Sequence, residues 1–330
     1  MLYGVRYGKI IPLYSKRGVG MNDTSISVEG LKKYYGQVKA VNGISFKVRP
    51  GTIFGMLGPN GAGKTTTIET LVGLNKKDEG EINILGYNLE NEPQRIKKMI
   101  GVQLQSPSLF PRLTVSETIG LFGSFYPQAL ETEEVLERVG LVHKAADQVK
   151  SLSGGQRHRL AVGLAIVSNG KIIFLDEPTT GLDPQARRQL WEVIAGLKDE
   201  GKTIFLTTHY MDEAEKLCDR LVIVDKGKVI AEGSPAELIR KNFKETAVEF
   251  SDPGFTGKEK SKIEEMEFIN RLTYENEEEH IILYTEEIPL TIRELLNLST
   301  EMGKVIDDVI IRQASLEDVF IKLTGRGLGE

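Results

Sequence analysis

Short blocks of consecutive apolar and β-branched residues recur through the first 240 positions: "TIFGML" at 52–57, "KIIFLD" at 171–176 and "TIFL" at 203–206. None alternates with polar residues, so each predicts a strand buried on both faces. Helical patterns follow. "KTTTIETLVGL" at 64–74 is stopped by Gly73 and Asn75, and "RHRLAVGLAIV" at 157–167 has a helical period. The whole of 105–169 reads as helical. This alternation predicts an α/β class with a parallel sheet. In "KGKVIAEGSPAELIRK" a hairpin-like turn at Lys226-Gly227 precedes a helix. Ser234, Pro235 and Glu237 supply its cap, first-turn proline and capping-box acid.

Residues 241–330 change character. "TAVEF", "INRLTY", "IILYT" and "VIDDVIIRQ" predict strands, while "PLTIRELLNLSTEMG" and "SLEDVFIKLTG" predict helices, the last capped by Ser315 and Asp318. The pattern is that of a small α+β accessory domain. "EEEH" at Glu277–His280 has metal-ligand residue types, but it falls between two strand-like runs and reads as a solvated turn.

Charge sharpens this division. Residues 241–330 carry 11 Lys+Arg and 20 Asp+Glu, a net of −9, which leaves +4 on residues 1–240 of a chain whose total is −5. Neither figure makes a case for nucleic acid, and the acidic tail disfavours DNA or a membrane surface. Cys218, the only cysteine, excludes an intrachain disulfide or a cysteine metal cluster and suits a reducing cytoplasm; its helical pattern makes it a core residue. The longest apolar run, "LAVGLAIV", is far short of the ~18 residues of a membrane span. Arg6, Lys9, Lys16 and Arg17 lie in the first 20 residues without the apolar core of a secretory signal. Glycine and proline there interrupt the pattern of a membrane-surface anchor. Residues 1–25 therefore read as a disordered basic extension, with Met21 as an alternative start.

The chemistry begins at Gly58-Pro59-Asn60-Gly61-Ala62-Gly63-Lys64-Thr65, which fits G-x-x-x-x-G-K-[ST] between a strand and a helix. Residues without bulky side chains let backbone N–H groups converge on phosphate oxygens, and the helix N-terminus adds a favourable dipole. Lys64 can reach β- and γ-phosphates, and Thr65 can offer its hydroxyl to Mg²⁺. "NKKD" at Asn75–Asp78 fits a guanine-reading pattern. It comes only 11 residues after Lys64, at the end of the first helix and far from any base, so a GTPase reading is rejected. The second apolar strand ends in Asp176, suited to Mg²⁺, and Glu177, able to orient or deprotonate a water. Ser153, Gly154 and Gly155, closed by Gln156, precede a second helix and form another anion-receptive N-terminus. One nucleotide needs one such cradle. The second would serve a nucleotide on another chain.

In register, these motifs resemble the ATP-binding subunit of an ABC transporter over about Ile26 to Thr324. Tyr35 matches the aromatic that stacks on adenine, with Tyr34 the alternative. Gly58 to Thr66 matches the Walker A loop, and Gln105 the Q-loop glutamine, with Gln103 the alternative. Leu152 to Gln156 matches the signature, and Ile172 to Asp176 with Glu177 matches Walker B and its catalytic glutamate. Asp183 matches the D-loop, and His209 in "FLTTHYMDEAEKLCDR" matches the switch histidine. "SLEDVFIKLTGR" resembles the tail of ABC-2 type exporter ATPases, which commonly export drugs, lipids, polysaccharides or sodium.

The resemblance implies a cassette over 26–240. Its core is a parallel sheet, with an antiparallel β-subdomain from the early strands and an inserted helical subdomain over about 105–169; residues 241–330 form the accessory domain. It implies ATP and Mg²⁺ as ligands, with Thr65, Gln105 and Asp176 toward the metal and Lys64, Gln105, Glu177 and His209 toward catalysis. It also implies two copies of the chain sandwiching two ATP molecules, with Ser153, Gly154, Gly155, Gln156 and Asp183 serving the opposing site. Transport would need a separate transmembrane permease, placing the chain at the cytoplasmic face of the membrane. The rival is a soluble ABC ATPase acting on DNA, ribosomes or cluster assembly. Against it, only 88 residues separate Lys64 from Leu152, with no heptads between them, and there is one cassette.

Overall fold

A computed structural model describes residues 24–105, 109–275, 280–306 and 308–325. Of the segment 1–25, read above as disordered, residues 1–23 lie outside the described residues, as do Glu277 to Glu279 of "EEEH", whereas Ser25 is placed and buried, its N–H donating to the Val48 carbonyl at 2.7 Å. Strands β1 (Ile26–Tyr35) and β2 (Val38–Val48) form an antiparallel hairpin, and the chain then enters the interior as β3 (Ile53–Leu57). All five residues of β3 are buried, as its unbroken apolar run requires. Helix α1 (Lys64–Leu71) follows. Strands β4 (Glu79–Ile84) and β5 (Tyr87–Asn88) return to the first sheet, whose order is β2-β1-β4-β5.

After α2 (Pro93–Lys97), β6 (Ile100–Gln103) joins a second sheet. The insertion then runs through α3 (Val115–Gly123), α4 (Thr132–Arg138) and α5 (Gly154–Ile166). The chain returns as β7 (Ile172–Asp176), α6 (Pro184–Asp199), β8 (Thr203–Thr208), α7 (Met211–Leu217), β9 (Arg220–Asp225), β10 (Lys228–Gly233) and α8 (Pro235–Asn242). The core sheet has the order β10-β9-β3-β8-β7-β6, parallel from β9 to β6, with β10 antiparallel at one edge. Phe46, Phe54 and Phe205 stack with centroids 5.3 to 5.9 Å apart and join the antiparallel sheet to the core sheet. The loops after β3, β8, β7 and β6 all leave from the same carboxyl ends of a parallel sheet, where open α/β folds place their ligands.

The last part of the chain holds β11 (Thr246–Ser251), α9 (Gly257–Glu264), β12 (Ile269–Glu275), β13 (His280–Thr285), α10 (Ile288–Glu301), β14 (Ile310–Arg312) and α11 (Leu316–Thr324). Its sheet runs β12-β13-β11-β14 over a core that includes Val248, Phe250, Ile281, Leu283 and Leu295. Three details differ from the sequence reading, the first being helix α9, which falls on "GKEKSKIE", where no helix was expected. The strand expected over 305–313 shrinks to Ile310–Arg312, because the Asp308 carboxylate takes the Ser251 N–H at 3.0 Å and so ends the pairing with β11. Helix α11 leaves the accessory core altogether. Its Leu316, Val319 and Phe320, spaced i, i+3, i+4, are fully buried in the cluster that holds Met211, Leu217 and Leu238 of α7 and α8. The final segment thus straps back onto the cassette.

Truncating the strap's central side chain should be felt by the cassette. Phe320→Ala is expected to destabilise the chain by about 3 kcal/mol, read as a lower denaturant midpoint. A midpoint equal to wild type would show that α11 is not part of that core.

Candidate functional site

The loop from Gly58 to Gly63 is shaped by contacts that exclude side chains. A Cβ on Gly58 would lie 2.3 Å from the Val224 carbonyl oxygen, and one on Gly63 would lie 2.3 Å from that of Ala40. Gly63 also adopts φ +102, open to glycine but rarely to other residues. The hairpin turn at Lys226-Gly227 buttresses the loop from outside, with the Gly227 N–H donating to the Ala62 carbonyl at 3.0 Å. Lys64 is buried under this loop. Its Nζ donates to the carbonyls of Gly58 at 2.8 Å and Pro59 at 3.1 Å, and lies 3.0 Å from Glu177 Oε1.

Glu177 gathers the neighbouring motifs. Its Oε2 accepts from Gln105 Nε2 at 3.3 Å and from the Thr180 hydroxyl at 3.1 Å, and His209 Nδ1 lies 3.1 Å away. Burial penalises the ionised carboxylate. The charges and hydrogen bonds of Lys64 and His209 outweigh that penalty and hold Glu177 below the ordinary glutamate range. Asp176, one residue earlier, goes the other way. Burial raises its pKa, and hydrogen bonds from Thr207 and Thr65 only partly oppose the rise.

Asp176 Oδ1 accepts from the Thr65 hydroxyl at 3.4 Å and from the Thr207 hydroxyl, while Oδ2 is buried with no hydrogen-bond partner. A free carboxylate lone pair beside a hydroxyl suits a hard divalent cation such as Mg²⁺, which takes few protein ligands and fills its shell with phosphate and water. Among the described residues there is no cluster of three or more His, Cys, Asp or Glu side chains able to hold a metal by themselves.

A cavity of about 560 Å³ is lined by Tyr35, Asn60, Gly61, Gly63, Lys64, Thr65, Thr66, Gln105 and Glu177. Tyr35, not Tyr34, faces it. Gln105 likewise reaches Glu177, whereas Gln103 is buried, its amide donating to the Leu104 carbonyl at 2.8 Å. The "NKKD" quartet does not line this cavity. Asn75 donates to the Tyr35 hydroxyl at 3.1 Å, and Asp78 accepts from the Tyr34 N–H at 2.6 Å. Val38, Lys39 and Lys226 also line the cavity and were missed in the sequence. So were Thr180, at Glu177, and Thr207, which bonds Asp176 and the Glu177 N–H. The only trace of Thr207 in the sequence is a polar residue at the end of an apolar strand.

Ser153, Gly154, Gly155, Gln156 and Asp183 are not in this cavity. They line another, of about 550 Å³, with Arg159, Gly181 and Gln185. Ser153 caps α5 in a capping box with Gln156, and Asp183 caps α6 through the N–H groups of Gln185 and Ala186, each at 2.9 Å. Gly155 permits close packing, since its Cβ would sit 2.9 Å from that of Ala186. Gly154 has no such reason: a Cβ there meets nothing within 4 Å.

A phosphate cradle after one buried strand and paired carboxylates at the end of another define a P-loop nucleotide hydrolase. The ABC transporter family model matches residues 41–180. The Nod factor export ATP-binding protein I of Ralstonia nicotianae is 40% identical over 316 residues, covering 94% of this chain and 97% of that protein. The linearmycin resistance ATP-binding protein LnrL of Bacillus subtilis is 34% identical over 308 residues, covering 92% and 99%. Among solved structures, a dimeric ATP-binding cassette in a post-hydrolysis state, bound to ADP and Pi, is similar with a TM-score of 0.58 and 27% identity, over 63% of this chain and 98% of that one. The chain belongs to the ABC transporter family, as an ATP-binding and ATP-hydrolysing subunit.

The glycine geometry separates fold from ligand. Gly63→Ala is expected to lower the melting temperature of the nucleotide-free protein, because both φ and the Ala40 carbonyl oppose a methyl group. Gly154→Ala, at an open helix start, should leave it unchanged or raise it slightly. Equal melting temperatures for Gly63→Ala and wild type would contradict the described loop.

Proposed function

We propose that this chain powers export through a separate membrane permease, working as a pair of copies that close on two ATP molecules and open after hydrolysis. The observation that carries this reading is the division of the site between two cavities. Phosphate-loop residues, Gln105 and Glu177 line the first, with His209 3.1 Å from Glu177 and Asp176 bonded to Thr65; the signature residues and Asp183 line the second. Gly154 is bare toward its own chain, as expected of a position that faces another molecule's phosphate. The names of the two relatives, export in one and resistance in the other, support the direction of transport. The dimeric cassette with ADP and Pi supports the pairing.

In this reading Tyr35 stacks on the adenine ring, and the backbone of Gly58 to Thr66 cradles the phosphates. Lys64 neutralises β- and γ-phosphate charge. Thr65, Asp176 and Gln105 would hold Mg²⁺, which supplies charge neutralisation across the β- and γ-phosphates when bound. Glu177, kept ionised by its neighbours, orients the attacking water and takes its proton; His209 contacts the γ-phosphate. Ser153, Gly154 and Gln156 of the opposing copy complete the cradle. No described helix is long and apolar enough to cross a membrane. The permease would therefore supply the pathway and hold this chain at the cytoplasmic face. The cassette comprises residues 26–240 together with α11, and β11 to β14 with α9 and α10 form the accessory unit.

Glu177→Gln should bind ATP and keep it. That variant is expected to run as a monomer without nucleotide and as a dimer with ATP–Mg²⁺, by size exclusion with light scattering. Adding Gly154→Asp places a carboxylate against the opposing phosphate and should abolish the dimer while each monomer still binds ATP. A double variant that still dimerises on ATP would falsify the two-copy reading.

A further inference from the structure

Glu213 is fully buried on α7, and no role assigned so far uses it. Its Oε1 accepts hydrogen bonds from the Thr179 hydroxyl at 2.9 Å and the Trp191 indole N–H at 3.0 Å. Both are neutral donors. Burial raises the Glu213 pKa, and hydrogen bonds from its hydroxyl and indole neighbours only partly offset the rise. An apolar side chain would fill this space without the cost of burying a carboxyl group, so the position needs an explanation.

What the bonds hold supplies it. Thr179 is buried in the turn that leads from Glu177 to Asp183. The next residue, Thr180, grips Glu177 Oε2 at 3.1 Å, and the Leu182 N–H closes the turn on the Thr179 carbonyl at 3.1 Å. Glu177 sits at φ +46, a left-handed conformation that a non-glycine residue keeps only where its surroundings over-determine it. The start of α7 is itself clamped to α6. The Tyr210 ring contacts both the His209 ring, at 4.2 Å, and the Arg187 guanidinium, at 4.5 Å, and Arg187 pairs with Asp212 at 2.9 Å. This start of α7 directly follows His209, and the turn held through Thr179 ends at Asp183 on the second cavity.

We infer that Glu213 is a positioning residue for ATP hydrolysis: through Thr179 and Trp191 it holds the strained Glu177 turn in register with His209 and ties the two half-sites of one chain together. It touches no nucleotide. The inference rests on the reading of Glu177 as the group that activates water.

Steady-state ATPase assays and melting curves of the full chain test it. Glu213→Gln keeps an Oε1 acceptor and is expected to hold kcat within about three-fold of wild type. Glu213→Met removes the acceptor and should lower kcat about ten-fold or more, with KM for ATP unchanged within about two-fold because the phosphate loop is untouched. Thr179→Val removes one bond at constant shape, so it serves even where Glu213→Met folds poorly. It should lower kcat about three-fold or more, again at constant KM. A lower melting temperature with wild-type kcat in the variants lacking the bond would overturn the inference. So would a KM that rises in step with the loss, or a Glu213→Gln as impaired as Glu213→Met. Glu177→Gln, run alongside, separates the two levels. Turnover retained there defeats the Glu177 reading itself. Turnover lost there, with Glu213→Met at the wild-type rate, defeats this inference alone.

Discussion

The buried ion pair between Lys64 and Glu177 holds the site together. It joins the loop after β3 to the end of β7, and β8, lying between those strands, contributes Thr207 and His209 to the same knot. Both groups are nearly covered by protein: Lys64 is 4% exposed and Glu177 5%. Removing one would leave the other as an uncompensated buried charge, which folded chains tolerate poorly. The pair therefore keeps the Glu177 pKa low and holds the Lys64 ammonium against the loop after β3. The cost of burying both is offset by the carbonyls, hydroxyl and amide that bond them.

The glycine-rich loop and its lysine were legible in the sequence because they depend on local backbone. Gly58, Gly63, Lys64 and Thr65 must lie at fixed spacing between a strand and a helix, whatever the rest of the chain does. The same holds for the Ser153–Gln156 capping box. Side chains that act across the sheet have no spacing to betray them. Thr207 reaches Asp176 from the neighbouring strand, and Glu213 reaches Thr179 across 34 residues. In the sequence each has polar neighbours, Thr208 beside Thr207 and Asp212 beside Glu213, and nothing singles it out. Tyr35 against Tyr34 was a choice of one strand face over the other, and Gln105 against Gln103 a choice between the loop after β6 and its last residue; Tyr35 and Gln105 are the ones that line the cavity.

The accessory segment shows the same limit at the level of domains. Composition marked residues 241–330 as a distinct acidic unit, and the strands and helices fall close to their expected places. The docking of α11 was invisible, because an apolar stripe such as Leu316, Val319 and Phe320 states that a helix is covered without naming what covers it. By packing on α7, which begins just after His209, α11 links the far end of the chain to the surroundings of Glu177.

The central claim is that one chain carries two half-sites and that a complete site needs two chains. Mixing tests it most directly. A Lys64→Ala chain lacks a working phosphate cradle, and a Gly154→Asp chain lacks a working signature, so each alone should be inactive. In an equal mixture only the pairs that combine the two chains rebuild an intact site, one of their two. ATP turnover should then rise clearly above that of either parent, with about half of the wild-type rate as its ceiling. A mixture no more active than its two parents would contradict the account.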